Sequence, residues 1–502
     1  DVMICENTAK YWNEQAKDSL EDALELQPIT RKAKNLIMLL GDGMGVTTIT
    51  AGRIYQGQVK GQPGEENILA LDEFPYVALA KVYNVDAQVP DSAGTGTAYL
   101  CGVKTNSGVL GLTAATQFAV CNTSYGNEVK SILHRAKEAG KSVGIVSTTR
   151  VQHASPGAAY AHSASRSWYS DSEMSSSNIR DGCKDISYQL VHNTDINVIL
   201  GGGRVYMNPR GTPDPEYPTS TSNQALRNDN LTLIDTCVVI SLFLQNAKYV
   251  WNKSDFDAVD ESTTDYLMGL FEPRDMNYEL NRDPTTDPSL EEMTEKAIKI
   301  LSKNKNGFFL FVEDEIDHGH HDGRAKQSLT EMLEFDKAVK KAGEMTSDSE
   351  TLTVVTADHS HVFSFGGYTD RGTSILGLAP GRGSDAKPYT SLVYGNGPGF
   401  QLTNGTRPDI TDVNTANDYR QQAPVPLSSE THGGEDVAIM AKGPFAHLFH
   451  GVQEQSYIAH VMAYAACLEP YHACTFNSAS FTLYSAPLLP LLTLWVLLML
   501  LW

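Results

Sequence analysis

The chain has 502 residues, 41% hydrophobic and 20% charged, an ordinary globular balance with ample material for a large buried core. Its formal net charge is −21, from 39 basic against 60 acidic residues, which excludes nucleic acid and anionic lipid as partners of its general surface. An anionic substrate would need a local positive site, and bound metal ions are the strongest local charges that could supply one.

Taken in chain order, residues 9–26 read as an amphipathic helical arm that ends at Pro28. KNLIMLL (34–40) has the continuous apolar character of a buried strand, and GDGMG then turns the chain. A helical stretch from about 127 to 139 precedes a second strand, KSVGIVST (141–148), and INVILGGG (196–203) is a third. The apolar run LIDTCVVISLFL (233–244) is too short to span a membrane and reads as a buried or edge segment. The helical pattern 289–303 leads into a fourth strand, GFFLFVE (307–313), and the pattern from about 325 to 344 leads into a fifth, TLTVVTAD (351–358). VAIMAKG (437–443) is a sixth. Buried strands alternating with helices predict an α/β fold, a large and mostly parallel sheet sandwiched by helices. The stretch from about 366 to 431 is rich in Gly, Pro, Asp, Thr and Tyr and reads as an inserted subdomain.

The end of the chain differs again. From Ala486 to Trp502 it runs APLLPLLTLWVLLMLLW, 17 residues without a charge and with no Lys or Arg after them. Upstream lie the small residues Asn477-Ser478-Ala479 and a short polar stretch to Ser485. Small residues, spacer and hydrophobic end together form the signal for a glycosylphosphatidylinositol anchor, with attachment at Asn477. Sequons at Asn122, Asn230, Asn252 and Asn404 favour an extracellular setting, the outer face of the plasma membrane. Asp1 is read as a mature N-terminus from which a signal segment has been removed. The seven cysteines, Cys5, Cys101, Cys121, Cys183, Cys237, Cys467 and Cys474, form no Cys-x-x-Cys pair, so a zinc ribbon is not expected. Cys467 and Cys474 are close enough for a local disulfide loop, and the odd count leaves at least one cysteine unpaired within the chain. The expected organisation is an N-terminal arm (1–30), a catalytic core (31–367 and 432–476), the insertion (368–431) and a C-terminal signal removed on maturation (477–502).

Residues suited to metals recur where the predicted strands end, the place where open α/β sheets bind ligands. Asp42 follows the first strand, Glu313 and Asp317 the fourth, Asp358 and His359 the fifth, and His432 precedes the sixth. A lone Asp after a strand is usually a turn or cap residue, but several in one chain make independent caps a poor explanation. In IDHGHH (316–321), Asp317 and His321 share one face if helical, and carboxylate plus imidazole suits zinc. In VPDSAGTGTAYLCG (89–102), Ser92 is followed by small residues leading into a helix, whose start attracts anions and favours a serine alkoxide. The plain reading of such a Ser is an N-cap. Neither a GxSxG elbow nor a P-loop surrounds it, so its activation would fall to a metal.

GDGMG, PDSAGTGTAYLCGVK, TTRVQHASP, RSWYSD, DHGHH, TADHSHVFSFGGY and ETHGGEDV together resemble the animal alkaline phosphatases, most closely their tissue-restricted intestinal type, over nearly the whole length. The resemblance implies that Ser92 is the nucleophile that becomes phosphoserine and that Arg166 grips two phosphate oxygens. It implies one zinc held by Asp42, Asp358 and His359, and a second by Asp317, His321 and His432. Magnesium would be held by Asp42, Ser155 and Glu313, with His153 behind it, and calcium by Glu216, the carbonyl of Phe271, Glu272 and Asp287. It further implies the disulfides Cys121–Cys183 and Cys467–Cys474, a homodimer, a crown domain over 368–431, and small phosphomonoesters as substrates. One departure stands out. Where the family reads Glu-Gly-Gly-Arg-Ile-Asp, this chain reads Glu313-Asp314-Glu315-Ile316-Asp317, one residue shorter, so Glu313 is displaced or Glu315 substitutes for it at the magnesium position. The competing expectations are a phosphodiesterase or sulfatase of the same superfamily, and a catalytically impaired surface protein kept for binding.

Overall fold

The apolar run after Lys34 builds the middle of the molecule. In the computed structural model, which describes residues 8–236, 246–412 and 416–471, Asn35–Gly41 forms strand β1, buried from Leu36 onward. The other strands are β2 (Tyr76–Lys81), β3 (Ser142–Arg150), β4 (Val198–Gly202), β5 (Ala247–Val250), β6 (Tyr266–Leu270) and β7 (Phe308–Asp314). They continue with β8 (Thr351–Thr356), β9 (Ser360–His361), β10 (Phe363–Phe365), β11 (Leu392–Tyr394), β12 (His432–Gly433), β13 (Val437–Lys442) and β14 (Val452–Glu454). Ten of these make one sheet in the order β14-β2-β13-β8-β1-β7-β3-β4-β6-β5. Every neighbouring pair is parallel except those of β13, which runs antiparallel to both β2 and β8. All six strands read from the sequence are present, and the mostly parallel sheet flanked by helices is the expected architecture. The described residues belong to one compact unit.

Register aligns the ends of the central strands. Leu40 lies opposite Glu313 of β7 on one side and Thr356 of β8 on the other, and Ser147 of β3 also lies opposite Glu313. Asp42, Glu313 and Asp358 therefore leave the sheet at one edge. Helices cover its faces for local reasons. Leu290–Leu301 starts at Ser289, whose hydroxyl accepts the Glu292 N–H while Glu292 accepts the Ser289 N–H, and its apolar stripe packs on β3 and on the helix Ala325–Glu344.

Some expectations change. The helix expected from about 127 begins at Ile132, because Ser131 caps it by accepting the His134 N–H at 3.2 Å. Strands β2, β5, β6 and β14 were not foreseen. β2 does carry the short apolar run Tyr76–Ala80, although in the fold its exposed and buried residues alternate. Within 233–244, Leu233 and Ile234 are buried; residues 237–245 lie outside the described residues, as do Cys5 and Cys237. Across 366–431 the named strand is β11, which pairs with β10 ahead of the segment. Cys121 and Cys183 are joined. Cys474, Asn477 and the apolar tail lie outside the described residues. Among the described residues no helix is long and apolar enough to cross a membrane. Asn122, Asn230 and Asn404 are exposed, whereas Asn252 is half-buried and caps the helix Lys253–Asp257.

Candidate active site

Ser92 opens the helix Ser92–Cys101 at the sheet edge. Asp91 caps that helix, accepting the N–H groups of Ala93 and Gly94. The cap carboxylate also accepts the Gly108 N–H at 2.9 Å and, at 3.0 Å, Nη1 of Arg166. Burial works against its charge, yet Arg166 and these N–H donors outweigh it and hold the carboxyl below its ordinary value. Arg166 Nη2 lies 3.1 Å from His153 Nε2, so the guanidinium is aimed from two sides. Ser92 is buried, with its Oγ 3.3 Å from His359 Nε2.

His359 joins the serine to a first carboxylate set. Its Nδ1 donates to the Ser360 carbonyl at 3.2 Å, which leaves Nε2 as a lone pair 3.0 Å from Asp358 Oδ2 and 3.7 Å from Asp42 Oδ1. Neither carboxylate oxygen of Asp42 finds a donor among the described residues. Burial first, then Asp358, Asp317, Glu315 and Glu313, push the Asp42 carboxyl well above its usual range. Buried carboxylates that raise one another without a protein cation between them are the environment a divalent ion neutralises.

A second set adjoins it. Asp317 and His321, one turn apart in the short helix Asp317–His321, approach to 3.3 Å, and His432 Nε2 lies 3.3 Å from Asp317 Oδ1. His321 Nδ1 donates to the Glu430 carbonyl and His432 Nδ1 to the Pro90 carbonyl. Their Nε2 atoms then face each other as lone pairs at 3.2 Å, a repulsive contact that a shared zinc would turn into two ligand bonds. The donor chemistry of both sets fits zinc.

Glu313 groups with Asp42 and His153, their ligand atoms lying within 4.8 Å of one another. Its Oε2 accepts from Ser147 at 2.6 Å, and Ser155, buried in the helix Ala154–Ala158, lies against it. Burial pushes its carboxyl up to about 7. Past the end of β6, Glu216, Glu272 and Asp287 collect near the buried Phe271. Burial and the other two carboxylates push Glu272 up to about 8, and burial and Glu216 push Asp287 up to about 6. Hard oxygen donors crowded in this way suit calcium.

Two residues escaped the sequence reading. His361 lies across the β9–β12 pair from His432, with Nε2 2.7 Å from Asp317 and Nδ1 2.5 Å from Glu430. Burial opposes its charge, but Asp317 and Glu430 prevail and push it up to about 10. Its two hydrogen-bond contacts tie Asp317 to Glu430 and orient Asp317. The signals were the place of His361 two residues after His359 in TADHSH and of Glu430 two residues before His432 in ETHGGEDV.

Comparison with known proteins supplies the frame for this geometry. Residues 33–468 match the family described as alkaline phosphatase. The tissue-nonspecific alkaline phosphatase isozyme of Felis catus is 59% identical, over 92% of this chain and 89% of that protein. The same isozyme of Homo sapiens is 56% identical, over 98% and 95%. In fold the chain is similar to the alkaline phosphatase of Thermus thermophilus, with a TM-score of 0.62 at 22% identity over 87% of this chain and 92% of that one. It is similar too to that of the Antarctic bacterium TAB5, with a TM-score of 0.59 at 20% identity over 88% and 99%. These curated relatives are tissue-nonspecific isozymes, so they lend no support to an intestinal type.

Proposed function

Because the chain belongs to the alkaline phosphatase family, and is an enzyme of that kind with metal-binding residue groups, we propose that it hydrolyses phosphate monoesters through Ser92 as nucleophile. Ser92 Oγ attacks phosphorus as the bond to the leaving alcohol breaks, and water then displaces the serine from the phosphoserine. Arg166 binds two equatorial phosphate oxygens through its fork, which Asp91 and His153 hold in orientation. The start of the helix Ser92–Cys101 adds a favourable dipole for the anion, while its Ala93 and Gly94 N–H groups stay with the Asp91 cap. Asp42, Asp358 and His359 would hold one zinc, and Asp317, His321 and His432 the other. Magnesium would go to Asp42, Ser155 and Glu313, and calcium to Glu216, the Phe271 carbonyl, Glu272 and Asp287. Zinc bound in these sets supplies Lewis acidity to the entering and leaving oxygens of the displacement.

The observation that carries the reading is Ser92 Oγ beside His359 Nε2 of the first ligand set, next to a second set in which the His321 and His432 lone pairs face each other without a proton between them. Further parts of the proposal rest on sequence. A glycosylphosphatidylinositol anchor at Asn477 on the outer cell surface rests on the tail. A homodimer is supported by the arm helix Ala9–Glu25, which has no buried residue and exposes Trp12, Leu20 and Leu24. The crown-like insertion 368–431 and the Cys467–Cys474 disulfide rest on the motif resemblance, as does an intestinal type. The test is aryl phosphate hydrolysis across neutral to alkaline pH with zinc, with and without magnesium. Activity lost in Ser92→Ala and on chelation, and restored by zinc, is expected; full activity in Ser92→Ala would overturn the mechanism.

A further inference from the structure

The turn from β7 into the helix Asp317–His321 gathers donors that neither zinc set uses. Glu315 is buried there, and neither of its carboxylate oxygens accepts a hydrogen bond among the described residues. His153 Nδ1, likewise without a partner, lies 3.6 Å from Glu315 Oε2. His318 Nε2 lies 3.6 Å from Oε1 of the same carboxylate. The side chains of His153 and Glu315 are 4% and 5% exposed, whereas His318 is 32% exposed and opens the group to solvent. The three ligand atoms lie within 4.8 Å of one another.

These separations decide between two readings. At 3.6 Å neither imidazole is hydrogen-bonded to the carboxylate. A tetrahedral site with metal–ligand bonds of about 2.1 Å has edges of about 3.4 Å; each imidazole lies 3.6 Å from a different Glu315 oxygen, so a carboxylate that chelates through both oxygens meets both rings after a small closure. Charge points the same way. Glu315 faces Asp317 and Glu313, and the cation beside it, Arg150, is already engaged by Asp275 at 2.6 Å. We propose that His153, Glu315 and His318 form a further cation site, a two-imidazole, one-carboxylate set suited to zinc or another d-block divalent ion, distinct from both zinc sets and sharing His153 with the Asp42–Glu313 group. Occupancy reaches Arg166 directly. Arginine only donates, so its contact needs His153 Nε2 as acceptor with the ring proton on Nδ1. A metal on Nδ1 moves that proton to Nε2 and leaves Arg166 held by Asp91 alone.

The test is zinc content at fixed free zinc and saturating magnesium, measured on the full chain by mass spectrometry for wild type, Glu315→Gln and His318→Ala. About one equivalent fewer in each variant, with unchanged circular dichroism, is expected. Equal zinc in wild type and His318→Ala overturns the site. If Glu315→Gln does not fold, His318→Ala decides alone, because its ring is partly exposed. Cobalt gives an independent readout: wild type should show a visible absorption component that His318→Ala lacks, and identical spectra count against the site. Zinc content is read whether or not the chain turns over a phosphomonoester, so failure of this proposal and failure of the Ser92 mechanism are distinguishable.

Discussion

Asp91→Asn separates the two jobs of the residue before the nucleophile. Oδ1 accepts from Asn84 at 3.0 Å, Gly94 at 3.2 Å and Gly108 at 2.9 Å, whereas Oδ2 faces Arg166 Nη1 at 3.0 Å. In the variant the amide oxygen takes the Oδ1 position, where three donors meet, and the NH2 group is turned toward Arg166 as donor against donor. Asn caps a helix as well as Asp does, so stability should change by less than about 1 kcal/mol. Loss of the charge-assisted bond is different. Such bonds contribute about 1.5–3 kcal/mol. With Arg166 and Asp91 side chains 23% and 20% exposed, the lower end applies, and about 1.5 kcal/mol is roughly tenfold in affinity. Competitive inhibition of aryl phosphate hydrolysis by inorganic phosphate reads this directly, with thermal melting alongside. The expected result is a Ki raised roughly tenfold at nearly unchanged Tm. A Ki within about twofold of wild type would show that Asp91 acts only as a cap.

Three further outcomes follow from the geometry. Gly43 has φ +73°, and a Cβ there would meet His361 Nε2 at 2.6 Å; Gly43→Ala should push His361 off Asp317, lowering both kcat and melting temperature, and wild-type values for both would contradict the close approach. Cys183→Ser opens the disulfide to Cys121, 62 residues away, and chain entropy predicts a loss of up to about 4 kcal/mol, measured by urea unfolding with metals held constant. Burial, then His162 stacked on it, lower His134 to about 4 from 6.5. Between those values the unfolded chain binds the proton that the folded one refuses, so stability rises with pH and is lost on acidification. His134→Gln should remove about 2–3 kcal/mol of the difference between urea stability at neutral pH and at about pH 4; an unchanged difference would mean that His134 is protonated in the fold.

The central sheet was legible because β1, β3, β4, β7, β8 and β13 are buried over nearly their whole length, and such strands are rich in apolar and β-branched residues. β2 lies between the short edge strand β14 and β13, with Val77 and Leu79 exposed, so its five-residue apolar run carries no polar alternation to mark its open face. β5 is only four residues long and β6 five, with Gly269 inside it, too short for period to declare itself. The capping residue Ser131 could have been read; it sets a helix start that apolar period alone places several residues early, whereas the pattern from 289 already begins at the cap Ser289.

The site divides along a similar line. Ligands that leave strand ends were visible as a set, because several carboxylates and imidazoles after buried runs are poorly explained as independent caps. Their partners were not, since the contacts that orient them cross the fold: Arg166 meets Asp91 across 75 positions and His361 meets Glu430 across 69. The shortened segment shows how register resolves what sequence leaves open. Strand pairing keeps Glu313 opposite Leu40 and Ser147, beside the strand end that carries Asp42. β7 ends at Asp314 and the next helix begins at Asp317, so the missing residue is absorbed in the turn between them. A strand cannot slip by one without turning every side chain to the opposite face, whereas a turn can shorten locally. Glu313 therefore stays with Asp42 and His153, and it is Glu315 that the shortened turn brings between His153 and His318, where its charge has no protein cation of its own.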